Sequence, residues 1–220
     1  MFSSPQLSSF EEGIASNGEV QIYYRDYGPK DAEPILLVQG LGGQLINWPD
    51  HLIEFLIENN FRPIVFDNRD TGLSSRIDSD LFSDNKRNQT IVTSYIRYFL
   101  RLPIKPVYDL DNMALDSISI LDKLEIKKAH LLGISMGGMI AQIVASNYPQ
   151  RVKTFTLIAS TATTPSPFNG PSREVRKLLM KRSNNPFSTM DERIARSKKI
   201  FRVIGLEGYD LDTEEFYNKS

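Results

Sequence analysis

The sequence predicts an α/β protein, a mostly parallel sheet with helices on both faces. Three observations carry this expectation. Residues 35–38 form a short, unbroken apolar run and 63–66 another buried-strand pattern, and 129–132 and 154–158 also read as strands. Between them stand segments whose apolar side chains recur at helical spacing. Strands alternating with amphipathic helices in this way are the signature of parallel crossover units.

Taken in order, Asn17-Gly18 reads as a type I′ hairpin turn, and Val20 to Tyr27 alternates as a strand should. After the run at 35–38 comes a glycine-rich loop. Leu52, Ile53, Leu56 and Ile57 then mark one face of a helix starting near Pro49. The polar stretch 79–90 reads as a loop, and 91–102 as a helix stopped by Pro103. Asp109 is placed to cap a helix carrying Leu110, Ala114, Leu121 and Leu124 on one side. Met136, Met139, Ile140, Ile143 and Val144 share a face of the helix after the strand at 129–132. The alternation stops near Ala159. Beyond it, 172–183 and 189–204 have helical spacing, and Thr189 with Glu192 matches a capping box.

Composition narrows the function. A chain of 220 residues buries enough surface for a core without staples. Its 26 basic and 27 acidic side chains leave a net charge of −1, which argues against nucleic acid or an anionic membrane as the main partner. With no cysteine, disulfides, thiolate catalysis and Cys-ligated metal sites are excluded. The N-terminal stretch lacks a basic region followed by an apolar one, and no apolar run approaches the ~20 residues of a membrane helix, so a cytoplasmic protein is expected.

The strongest motif is Gly133-Ile134-Ser135-Met136-Gly137, a G-x-S-x-G between a strand and a helix. A sharp strand-to-helix turn holds such a serine in a strained conformation above the sheet, and small residues two positions away avoid clashes. The helix N-terminus favours the negative charge that develops in acyl transfer. The loop Gln39-Gly40-Leu41-Gly42-Gly43 follows the strand at 35–38 and offers backbone N–H groups to the same carbonyl. It is neither a dinucleotide fingerprint, since Leu45 stands where the third glycine belongs, nor a Walker A loop.

With these motifs the chain resembles the α/β-hydrolases. The stretches VQGLGGQLINW (38–48), VFDNRDTGLSS (65–75), AHLLGISMGGMIAQIVASNYPQRV (129–152) and LIAS (157–160) follow that superfamily's order and spacing. The Asn-Arg-Asp-Thr-Gly-Leu-Ser and Ser-Met-Gly-Gly-Met-Ile-Ala-Gln blocks are most similar to small esterases of the aclacinomycin-methylesterase-like or proline-iminopeptidase-like branch. The resemblance implies Ser135 as nucleophile, oxyanion-hole N–H groups from Leu41 and Met136, and structural glycines at Gly40, Gly133 and Gly137. Trp48 takes the family's aromatic position, and Gln39 replaces its usual histidine. It implies a hydrolase core over 1–165 and the start of a helical cap over 166–220. It also implies a small-molecule ester substrate, with no cofactor and no metal.

The family's triad runs serine, acid, histidine along the chain. Here no histidine follows Ser135, and the downstream Asp191, Asp210 and Asp212 fall in the expected cap. His130 lies five residues before Ser135 on the same strand, roughly 16 Å away at ~3.3 Å per residue, and His51 opens a helix. Neither is expected to complete a triad, so the acid and base are expected from outside the chain and the sequence reads as the N-terminal part of a longer hydrolase. The strand at 154–158 is then an open parallel edge, prone to association with another chain. Ester hydrolysis is the leading expectation. A catalytically inactive binding module, or an acyltransferase, perhydrolase or proline iminopeptidase on the same elbow, are the alternatives. Phe168, Met180 and Phe201 either line a pocket or pack on the sheet.

Overall fold

A computed structural model of the chain describes residues 9–77 and 106–162, with isolated residues beyond. The chain divides into two units, Met1–Ala162 and Thr163–Ser220. The expected loop at 79–90 and helix at 91–102 lie outside the described residues, as do Phe168, Met180, Asp191, Phe201, Asp210 and Asp212.

The described residues of the first unit form a six-stranded sheet of order β1-β2-β4-β3-β5-β6. Its strands are β1 (Phe10–Asn17), β2 (Val20–Tyr27), β3 (Glu33–Val38), β4 (Phe61–Phe66), β5 (Ala129–Ile134) and β6 (Val152–Ile158). β1 and β2 pair antiparallel, as do β2 and β4, and every other pairing is parallel. Each apolar run of the sequence became a strand.

The opening hairpin departs from expectation at its turn. Asn17 pairs with Val20, so the two-residue loop is Gly18-Glu19 rather than Asn17-Gly18. Of the two, Gly18 alone has positive φ, at 61°, the pattern of a type II′ turn with glycine first. Burial sets this register. Ala15 and Ile22 face one another and are both fully buried, whereas a slip of one residue would turn them to solvent. Asn17 is left at the strand end, where its amide donates to Asp116 Oδ1 at 2.8 Å.

Helices cover both faces because successive strand residues point opposite ways. Leu36, Val38, Ile64, Phe66 and Leu131 pack with α2 (Leu110–Lys123) and α3 (Met136–Asn147). Ile35, Leu37, Val65 and Leu132 pack with α1 (Asp50–Glu58), whose Ile53 and Leu56 face the sheet beside Trp48. Asp109 caps α2 as expected, in a reciprocal box with Asn112 at 3.0 Å both ways. Among the described residues, one buried ion pair links neighbouring strands β4 and β2 and another links the segment after β4 to α2. Arg62 forks onto Asp26 at 2.8 and 2.7 Å, and Arg69 onto Asp116 at 2.7 Å from both nitrogens.

β6 ends the described sheet, with Phe155 47%, Leu157 37% and Ile158 42% exposed. Among the described residues, no helix is long and apolar enough to cross a membrane. In the second unit the Thr189–Glu192 capping box is present, its two backbone N–H groups donating to the partner side chain at 3.0 and 3.3 Å.

Candidate active site

β3 sits between β4 and β5; the chain runs from β3 through α1 on one face to β4, and from β5 through α3 on the other face to β6. Loops after β3 and β5 therefore part to opposite faces, which opens a crevice at the C-terminal ends of these two strands. The serine motif and the glycine-rich loop meet there.

Ser135 is the single residue between β5 and α3, and it is exposed. Its φ of 53° and ψ of −120° lie where side chains rarely go, at a cost of about 1–3 kcal/mol. Close packing forces the turn. A Cβ on Gly133 would stand 2.4 Å from the Gly137 oxygen, and one on Gly137 only 2.0 Å from the Val38 oxygen. Gly137 lets α3 start against the end of β3, and Gly133 lets the first turn of α3 pack on β5. Hydrogen bonds then hold the strained residue: Ser135 N–H donates to Ile158 O at 2.9 Å, and Ser135 O accepts from Gly138 N–H at 2.9 Å and Ser160 Oγ at 2.8 Å.

The loop after β3 lies directly against this serine. A Cβ on Gly40 would stand 3.2 Å from Ser135 Cβ and 3.7 Å from its Oγ. Gly43 N–H donates back to Gly40 O at 3.1 Å, closing a tight turn that carries Leu41, 80% exposed, at its tip. The Met136 N–H opens α3, where helical geometry offers it no intrahelical partner.

The segment after β4 holds that loop in place, a role that reading the sequence missed. Asn68 Nδ2 donates to Gln39 O at 3.0 Å. Asp67 accepts from Leu45 N–H at 2.8 Å through one oxygen and from Leu73 N–H at 2.9 Å through the other. Arg69, next in the chain, is fixed by Asp116 and lies over the Tyr108 ring at 4.9 Å. Burial pushes the Tyr108 phenol above its ordinary range, and its hydrogen bond to Asp70 pushes the same way.

His130 stands at the opposite end of β5, paired in register with Ile35, whereas Gly133 pairs with Val38. Its Nδ1 is 2.7 Å from Thr154 Oγ1, its Nε2 is 3.7 Å from Glu33, and its ring meets Phe61 edge-on. His51 is the exposed second residue of α1.

A parallel sheet of this order, a strained serine between β5 and α3, and a glycine loop against it define one class of fold. The chain belongs to the α/β-hydrolase fold family, whose model matches residues 33–197. Among curated relatives it is 27% identical over 218 residues to rhodomycin D methylesterase DnrP of Streptomyces peucetius, covering 92% of this chain and 65% of that one. It is 29% identical over 138 residues to a putative carbamate hydrolase, RutD, of Variovorax paradoxus, covering 62% and 41%. The chain thus spans just under two thirds of the methylesterase's length. Solved structures share the fold. A hydrolase from Pseudomonas aeruginosa PA01 superposes with a TM-score of 0.61 at 23% identity, covering 94% of this chain and 66% of that one. The thioesterase domain from the curacin biosynthetic pathway gives 0.63 at 20%, covering 96% and 64%.

Proposed function

We propose that the protein is a serine hydrolase of carboxylic esters acting through an acyl-enzyme on Ser135. One observation carries the reading above the others: the exposed hydroxyl belongs to a residue at φ 53°, strained at the mouth of a helix, with the Gly40 backbone against it. Backbone strain of this kind persists where function holds it.

In the proposed reaction, Ser135 Oγ attacks the ester carbonyl carbon and gives up its proton to a histidine. The oxygen of the tetrahedral intermediate takes up negative charge and receives hydrogen bonds from the Leu41 and Met136 N–H groups. The carbon–oxygen bond to the alcohol then breaks, and the alcohol leaves with the proton. Water repeats the sequence on the acyl-enzyme and releases the acid. His130 stands at the far end of β5 and neither it nor His51 is assigned to the triad, so the reading takes the base and its acid from outside this sequence. The glycines Gly40, Gly133 and Gly137 serve by leaving space. In this reading residues 1–165 are the hydrolase core, 166–220 are the start of a helical cap, and the substrate is a small ester in the cytoplasm. The methylesterase relatives make a methyl ester the first substrate to try.

The test is modification by a fluorophosphonate, read by mass spectrometry, together with acid release from a methyl ester. The native protein should be modified at Ser135 and release acid, and Ser135→Ala should do neither. Unmodified native protein, or acid release that survives Ser135→Ala, refutes the reading.

A further inference from the structure

The strained serine is clamped from both sides by the end of β6. Its N–H donates to Ile158 O at 2.9 Å, and its carbonyl receives Ser160 Oγ at 2.8 Å. Space for the Ser160 side chain exists because residue 138 is glycine. A Cβ there would lie 2.4 Å from Ser160 Oγ and 2.5 Å from its Cβ. Gln142 Nε2 fastens this segment to α3, donating to Thr161 O at 3.0 Å and Gly138 O at 3.1 Å.

The Ser135 carbonyl and the Met136 N–H are two ends of one planar peptide unit, and they point in opposite directions. Whatever fixes the oxygen therefore aims the N–H. A hydrogen bond received by the oxygen also polarises the unit and strengthens the N–H as a donor. We propose that Ser160 is a positioning residue that holds the Ser135 carbonyl and so aims the Met136 N–H at the oxyanion. The inference rests on the assignment of Ser135 as nucleophile and Met136 as donor. The Leu41 donor is aimed in the same manner, since the carbonyl of its peptide unit, Gly40 O, accepts from Gly43 N–H at 3.1 Å. That second clamp is backbone, whereas the first adds the Ser160 hydroxyl, which a substitution can remove, to the backbone bonds the Ser135 carbonyl accepts from Gly138 N–H at 2.9 Å and Met139 N–H at 3.4 Å.

An oxyanion donor acts in the transition state and not on bound substrate. Ser160→Ala should therefore lower kcat and leave KM unchanged. Loss of a whole donor costs roughly 10²–10³ in kcat. Here the carbonyl keeps its bond from Gly138 N–H, so the fall should be about five- to tenfold, the worth of one hydrogen bond.

The experiment compares the native protein with Ser160→Ala and Ser160→Thr on a p-nitrophenyl ester. It also measures affinity for a boronic acid that mimics the tetrahedral intermediate, and the ¹⁵N shift of the Met136 amide. Ser160 is half-exposed, and equal urea midpoints establish that the variants are folded. The expected result is a lower kcat at constant KM in Ser160→Ala, boronate affinity weakened by the same factor, a moved Met136 resonance, and recovery in Ser160→Thr. A kcat within twofold of native, an unmoved Met136 resonance, or threonine no better than alanine overturns the inference and leaves the hydrolase reading intact. Native protein that neither turns over the ester nor reacts at Ser135 overturns both.

Discussion

A methyl group on Gly137 tests how closely α3 approaches β3. In Gly137→Ala the new Cβ would stand 2.0 Å from Val38 O, 2.6 Å from Val38 C and 2.7 Å from Gln39 O. Close carbon–oxygen contacts in proteins run to about 3.3 Å, so helix and strand must part by roughly 1.3 Å. The atoms struck are backbone, and no side chain can rotate out of the way. Two effects oppose. Alanine is favoured over glycine in a helix by about 1 kcal/mol. Overpacking costs about 1–3 kcal/mol, and the upper end applies when backbone has to move. The net loss is about 2 kcal/mol, or about 4–8 °C in Tm for a protein of this size. Function should suffer more than stability, because a misplacement of about 1 Å costs on the order of 10² in rate. Urea unfolding can be followed through Trp48, the sole tryptophan and 5% exposed, and reactivity through the rate of fluorophosphonate modification. Ser146→Ala, on the exposed side of the same helix, should stay within about 0.5 kcal/mol. A Gly137→Ala protein with native stability and native reactivity would refute the close approach and the reasoning built on it.

Three further outcomes are expected. Asp116→Ala strands the buried Arg69 guanidinium and should cost about 3–5 kcal/mol in urea unfolding. The double variant Asp116→Leu/Arg69→Met should recover most of that, and losses that simply add would refute the pairing. Asn68→Ala frees the buried Gln39 carbonyl, which should cost about 1–3 kcal/mol and slow modification of Ser135; an unchanged rate would mean the loop is held by other contacts. The Tyr108 phenol is raised above its ordinary value of 10.0, so between that value and the folded-state pKa the native protein holds a proton the unfolded chain has lost. The stabilisation is fully present below pH ~10 and falls as pH rises beyond it, and Tyr108→Phe should flatten this alkaline fall in an unfolding series. An unchanged pH profile in Tyr108→Phe would count against the assignment.

Much of this fold could be read from the sequence because its signals are local. The central strands carry short apolar stretches such as Ile35 to Val38 and Ile64 to Phe66, Asp109 and Asn112 form a cap within one turn, and G-x-S-x-G lies across a strand–helix junction. The hairpin turn was misread by one residue because the local Asn-Gly preference competes with a register set by Ala15 and Ile22. Contacts between distant residues left no such trace. Nothing near Asn68 announces that its amide reaches Gln39, and nothing near Ser160 announces the carbonyl of Ser135. A hint did exist in Gly138, a second glycine beyond the motif, but its reason lies in β6. Asp67 and Asn68 were noticed only as part of a resembling block. Their work is to satisfy backbone groups of other loops, which only the folded arrangement reveals.

The supports of the Ser135 turn are drawn from three strands that the chain makes at different times. Val38 belongs to β3, the serine follows β5, and Ile158 and Ser160 come with β6. As the chain leaves the ribosome, β1 to β4 can pair first, since their partners are already made. The serine emerges with its neighbour β6 still unsynthesised. Until β6 docks, the turn has its packing against β3 but lacks the hydrogen bonds to Ile158 and from Ser160. The strained serine is therefore a late product of assembly, and its geometry serves as a marker that all three strands have come together.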